Sequence, residues 1–156
     1  MKKLLVLTLI VSWLTMGMTT IKVLPILGIA HVAFQVSNLE QSRAFYTDIY
    51  GFEFAFAAHE DQEAWYLKIN DDQFVKLVSK PVGTDDNRLV EIAFQVSDIE
   101  TTVAILRERG LDPTPVKKKP DGTLASGLKD PSGHNLIFVE YTSGSKQALA
   151  QGKHLG

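Results

Sequence analysis

Ala30-His31-Val32-Ala33-Phe34-Gln35-Val36-Ser37-Asn38-Leu39-Glu40 returns later in the chain as Val90-Glu91-Ile92-Ala93-Phe94-Gln95-Val96-Ser97-Asp98-Ile99-Glu100, at constant offset and without a gap. Self-similarity of this kind marks a structural unit used twice. Most changes between the copies are conservative, and the one that alters chemistry is His31 to Glu91. Within each copy the residues alternate. Val32, Phe34 and Val36 point to one face and His31, Ala33 and Gln35 to the other, the period of a half-buried strand. Ser37-Asn38 and Ser97-Asp98 offer N-cap side chains, with Glu40 and Glu100 in capping-box position three residues after each serine. A helix is expected to follow in each copy, ending at Gly51 in the first and at Gly110 in the second.

Three short strands should follow each helix. In the first copy they read as Phe52 to Ala58, Ala64 to Ile69 and Gln73 to Val78, with Asn70-Asp71-Asp72 as a hairpin turn. In the second they read as Thr114 to Lys118, Thr123 to Leu128 and His134 to Tyr141, the middle one weakened by Ser126 and Gly127. The fold expected is therefore α+β, a βαβββ module used twice, with the modules at 27–80 and 88–142. Pro81 to Asn87, rich in Pro, Gly and Asp, reads as the linker. Residues 143–156 read as a polar tail with one helical turn around Gln147 to Gln151.

The 156 residues suffice for one domain or for two small modules sharing a core, and not for two independent enzymes. A formal net charge of −2, with basic residues scattered except at Lys117-Lys118-Lys119, argues against nucleic acid as a partner. The chain has no cysteine, which excludes disulfides, thiolate metal sites and a cysteine nucleophile. Any metal would have to use His, Asp or Glu. Residues 1–18 read as a signal peptide or an uncleaved N-terminal anchor: Lys2 and Lys3 are followed by an apolar run from Leu4 to Leu14, too short for a permanent span. Thr15 and Gly17 supply the best small pair for cleavage. Export to a periplasmic or extracellular location is the expectation, with membrane attachment only through an uncleaved N-terminal segment.

Three further segments carry a family resemblance: Gly28-Ile29-Ala30-His31-Val32-Ala33-Phe34, Ser42-Arg43-Ala44-Phe45-Tyr46 with Tyr50-Gly51-Phe52-Glu53, and Asp130-Pro131-Ser132-Gly133-His134. Together they make Leu27 to Tyr141 resemble the glyoxalase, bleomycin-resistance and extradiol-dioxygenase group, the vicinal oxygen chelate superfamily. The resemblance implies a curved, partly closed mixed sheet with the helices outside, and a cleft between the modules that usually holds a divalent metal. The family's ligands, typically His, Glu or Gln, His and Glu, carry over to His31, Lys76, Glu91 and Ile137. Only His31 and Glu91 remain competent as metal ligands. Lys76 carries a positive charge where a donor is expected, and Ile137 has no donor at all.

Lys76 is accordingly expected to pair with Glu91 across the modules in place of a cation. No cofactor is expected; the alternative is Fe, Mn, Ni or Zn held by His31 and Glu91. Glu140 alternates onto the opposite face of the last strand and should miss the cleft unless a bulge shifts the register. His134, His59 and His154 read as surface residues. Gln35, Gln95 and Trp65 complete the residues expected to line the ligand cleft; Tyr66, Phe56 and Phe74 are alternative stacking groups. Two function classes follow: a protein that binds a small molecule in a metal-free cleft, or a lyase, isomerase or dioxygenase resembling glyoxalase I, with Glu91 as base and His31 or Lys76 polarising a carbonyl. A homodimer built through paired modules is a further possibility.

Overall fold

The first module opens with β1 (Ile26–Val36), whose alternating side chains commit it to two different surfaces. Helix α1 (Leu39–Tyr50) follows. Its N-cap is Asn38, whose side chain accepts a hydrogen bond from the Gln41 backbone N–H. In the second module Asp98 caps α2 (Ile99–Glu108) through the Thr101 N–H in the same way. The cap thus falls one residue later than the serine-based capping box expected, because Asn and Asp carry the oxygen that reaches the third N–H of the helix. Gly51 closes α1 with φ +71°, a left-handed geometry that costs glycine little.

Strands β2 (Glu53–His59), β3 (Glu63–Lys68) and β4 (Phe74–Ser79) complete the first module. The second runs β5 (Leu89–Val96), α2, β6 (Lys117–Lys118), β7 (Leu124–Lys129) and β8 (Asn135–Glu140). Strand β6 is shorter than expected. Pro113 and Pro115 have no N–H for a ladder, and only Thr114 between them reaches β7, donating to the Gly127 carbonyl. The expected weakness of β7 is absent, since it pairs along its whole length with β8. A last short helix, α3 (Lys146–Ala150), follows. The computed structural model describes residues 21–59, 63–79 and 88–152. The proposed targeting segment 1–18, the linker 81–87 and His154 lie outside the described residues.

The eight strands among the described residues form one mixed sheet in the order β2-β3-β4-β1-β5-β8-β7-β6. Each module contributes four neighbours in the same relative order. Strands β1 and β4 are parallel, as are β5 and β8, and the modules join where β1 meets β5 antiparallel. The sheet is curved and partly closed, with α1 and α2 outside. On the outer face Leu39 of α1 covers Leu67, Val75 and Leu77, while Ile99 and Leu106 of α2 cover Val96 and Phe138. The inner face carries small residues at its centre: Ala30, Ala93 and Ala125 in one cluster, Ala33 and Ala64 in another. Short side chains there leave room for longer polar ones between them.

The described part of the tail, up to residue 152, packs onto the fold. Gln147 is 1% exposed and Ala150 packs against Ala58, Tyr66 and Phe74 of the inner face. Among the described residues no helix is long and apolar enough to cross a membrane.

Candidate functional site

The site lies where the modules meet. Between Ile29 and His31 the β1–β5 register shifts, so that Ile29 pairs with Phe94 and His31 with Ala93, leaving Ala30 as the extra residue of a bulge. The bulge turns His31 onto the inner face, where Ala33 lies opposite Glu91. On the other flank Ala33 is also opposite Lys76 of β4, and Ala93 is opposite Ile137 of β8. Lys76 and Ile137 thus hold equivalent places in the two modules, as His31 and Glu91 do. All four line one small cavity of about 40 Å3, together with Tyr66, Asp121 and Gln147.

One oxygen organises the centre. Glu91 Oε1 lies 2.9 Å from Lys76 Nζ and 3.0 Å from His31 Nε2. A carboxylate oxygen only accepts, so the neutral imidazole donates through Nε2–H. Burial pushes His31 below its usual range, outweighing its bond to Glu91, and the Lys76 charge acts in the same direction. Burial works to raise Glu91, but the His31 bond and the Lys76 charge overcome it and hold the carboxyl at about 2. At neutral pH the three groups are a neutral histidine, an ammonium and a carboxylate. Their formal charges cancel.

Aromatic rings fix the histidine and the lysine from the first module's side. The Tyr66 ring meets His31 edge to face at 5.4 Å and Lys76 Nζ lies 5.6 Å from the same ring, on which Phe56 stacks at 4.5 Å. From the second module, buried Asp121 accepts from the Thr123 N–H at 3.0 Å, from Thr123 Oγ1 at 2.7 Å and from Gln147 Nε2 at 2.6 Å. This fixes the Gln147 amide and turns its Oε1 away from any protein donor: among the described residues that oxygen is buried without a hydrogen-bond partner.

The donor set does not suit a divalent ion. Such an ion needs several lone pairs converging on it. Here the only carboxylate among the four family positions is engaged by an ammonium, the imidazole presents N–H to the same oxygen, and Ile137 offers carbon. Among the described residues no group of three or more His, Asp or Glu is placed to hold a metal.

The other cleft residues inferred from sequence separate. Trp65 is a correction: it pairs with Leu77 and packs with Phe54 under α1, with the Arg43 guanidinium 5.8 Å from its ring, so it lies on the outer face. One step of strand alternation makes Tyr66 the cleft aromatic instead. Gln35 and Gln95 share the inner face but sit at opposite ends of the antiparallel β1–β5 pair, beside Val78 and Gly28. Gln95 lines a separate hollow with Leu27 to Ile29 and Asn70 to Gln73, not the His31 cavity. Glu140 misses the cleft and accepts from the Ile99 N–H at the start of α2. His134 is exposed and bonded to Asp130 across its turn, and His59 is exposed at the end of β2. Sequence reading missed Asp121 and Gln147, which look like a turn aspartate and a tail glutamine. No local pattern places them at the cavity.

A model of the Glyoxalase/Bleomycin resistance protein/Dioxygenase superfamily matches residues 28–138. Among curated proteins, the uncharacterized protein YwkD of Bacillus subtilis (strain 168) is 27% identical over 102 residues, covering 60% of this chain and 80% of its own. The structure of methylmalonyl-CoA epimerase from Mycobacterium tuberculosis superposes with a TM-score of 0.69 at 16% identity, covering 80% of this chain and 94% of that one. A Streptomyces coelicolor methylmalonyl-CoA epimerase variant in complex with 2-nitronate-propionyl-CoA gives 0.67 at 19% identity, covering 77% and 98%. At these identities the structural likeness speaks for the fold alone.

Proposed function

Because the chain belongs to the Glyoxalase/Bleomycin resistance protein/Dioxygenase superfamily, we propose that its inter-module cleft binds a small molecule without a resident metal, and that the protein works after export. One observation carries the first part: Lys76 Nζ and His31 Nε2 both engage Glu91 Oε1, at 2.9 and 3.0 Å. The ammonium stands where a cation would be needed to balance the carboxylate. A divalent ion about 4 Å from that ammonium would be repelled by roughly 8 kcal/mol at an effective dielectric near 20, twice the value for two unit charges. With charge already balanced, a metal has little to gain. Export has its support in Lys2-Lys3 and the apolar run Leu4 to Leu14, and a chain without cysteine meets no hazard in an oxidising compartment.

We place the lyase, isomerase or dioxygenase alternative second. It requires Glu91 to take a proton from carbon, and a carboxylate held at about 2 is far from the range in which a general base works best at neutral pH.

The test is to express the full chain with its own N-terminus, recover it without chelator, and measure metal content and intact mass. The expected result is metal well below one ion per chain and a mature protein starting near residue 18. One tightly held Fe, Mn, Ni or Zn per chain would overturn the metal-free reading, and an intact N-terminus in a protein retained in the cytoplasm would overturn export.

A further inference from the structure

The small central cavity opens toward a second, larger hollow. Lys119, Ala125 and Ile137 line both, and the larger one has a volume of about 450 Å3, the size of a ligand site. Its floor is apolar and its rim is cationic. On the inner face of the second module Ala125 pairs with Val139 and Gly127 with Ile137. Gly127 makes the floor possible. A Cβ at that position would stand 2.7 Å from Ile137 Cδ1, so the absence of a side chain lets Ile137 lie across β7 as part of the wall.

Three lysines reach this hollow. Lys117 is opposite Ala125 in the β6–β7 pair and therefore on the same face, Lys119 lies two residues on, and Lys129 lies two residues beyond Gly127. Asp112 is the one acidic residue in the lining. The other nearby carboxylates are committed: Glu91 to Lys76 and His31, and Asp121 to Thr123 and Gln147. Among the described residues neither Lys117 nor Lys129 takes part in an ion pair. An apolar hollow under such a rim favours one kind of guest.

Resting on the cleft-binding reading above, we propose that the ligand is an organic anion: an apolar body lying on Ala125, Gly127 and Ile137, with its acidic group held by Lys117 and Lys129 at the mouth. Exposed lysines act here as point charges, so they select for charge more than for the geometry of the acid. The body supplies most of the affinity and the lysines supply the sign. The attraction must weaken with salt, because the rim is exposed and screening acts at about 8–10 Å at physiological ionic strength.

Two dyes with the same aromatic body separate the contributions. 1-Anilinonaphthalene-8-sulfonate carries an acidic group, and N-phenyl-1-naphthylamine is its uncharged counterpart. Titrated into the folded mature chain, the sulfonate is expected to bind about tenfold more tightly than the amine, with an affinity that falls as salt is added. Reversing both rim charges, Lys117→Glu with Lys129→Glu, should weaken the sulfonate about tenfold and leave the amine unchanged. Both substitutions are at exposed positions, and thermal melting confirms that the variant is folded. Equal binding of the two dyes, or a double reversal without effect on the sulfonate, overturns the anion assignment while leaving cleft binding standing. Failure of both dyes to bind the wild-type chain removes the cleft-binding reading itself.

Discussion

Glu91→Gln removes the negative charge that His31 and Lys76 share while keeping the shape of the side chain. A carboxyl held at about 2 instead of the ordinary 4.5 is favoured as the anion by about 3 kcal/mol, since each pH unit corresponds to about 1.4 kcal/mol. The side chain is 18% exposed, so solvent screening takes only a small part of that. The substitution also leaves the Lys76 ammonium, 7% exposed, facing a neutral amide, and breaking a buried pair from one side typically costs about 3–5 kcal/mol. A loss of about 3 kcal/mol at pH 7 is therefore expected, a fall in Tm on the order of 10 °C for a chain of this size.

The pH dependence gives the sign. A folded-state value below the unfolded one means the stabilisation is complete above about 4.5 and is lost as pH falls toward about 2. Urea unfolding followed by circular dichroism should show wild type and variant far apart at pH 7 and converging as pH falls to about 2 and below, where the wild-type carboxyl takes up its proton. Lys76→Met should cost a similar amount, and the double variant should cost less than the sum because the two losses share one interaction. A Glu91→Gln protein within about 0.5 kcal/mol of wild type at pH 7, with a parallel pH profile, would refute the reasoning; differences that small are typical of surface changes.

Three further outcomes are expected. His31, held neutral by burial, should keep its imidazole signals in the neutral form as pH falls through 6.5, and its contribution to stability should decline below that pH, since the unfolded chain takes up the proton first; an ordinary titration of the ring in NMR spectra would contradict this. Trp65→Ala should lower stability by roughly 3 kcal/mol, because it empties the outer-face packing under α1, yet leave the affinity for a cleft-bound dye unchanged; calorimetry and dye titration read the two effects separately. Lys76→Glu combined with Ile137→Glu should create a site for a divalent ion beside His31 and Glu91, seen as an increase in Tm on adding Mn2+ or Ni2+ that the wild type lacks; no increase would mean that these four positions do not converge as the cavity lining indicates.

Much of the fold was legible because its signals are local. Alternation in 30–36 and 90–96, the cap residues after them and Gly51 act within a few residues of each other, so the helices and most strands after them could be placed from sequence to within a residue or two, the exception being β6, which starts three residues later than expected. The opposition of Lys76 and Glu91 was legible only through the resemblance, since nothing in Phe74-Val75-Lys76-Leu77 names a partner in another module. Trp65 was misplaced for a specific reason. Alternation along β3 assigns Trp65 and Tyr66 to opposite faces but does not say which face curls inward. Tyr66 takes the inner face because β3 pairs with β4 in the register that sets it opposite Lys76.

Sequence alone determined the duplicated strand, helix and three-strand plan, the exclusion of cysteine chemistry, and the shared face of His31, Ala33 and Gln35. Tertiary structure decided what those residues meet: the bulge at Ala30 that brings His31 to Glu91, the single oxygen they share with Lys76, the tail glutamine over the cavity, and the separation of Gln35 from Gln95 at opposite ends of the β1–β5 pair. The physical reason is range. A period of two is set by backbone sterics one residue at a time, whereas the charge balance of the site arises only when strands far apart in the chain are packed side by side and water is excluded between them.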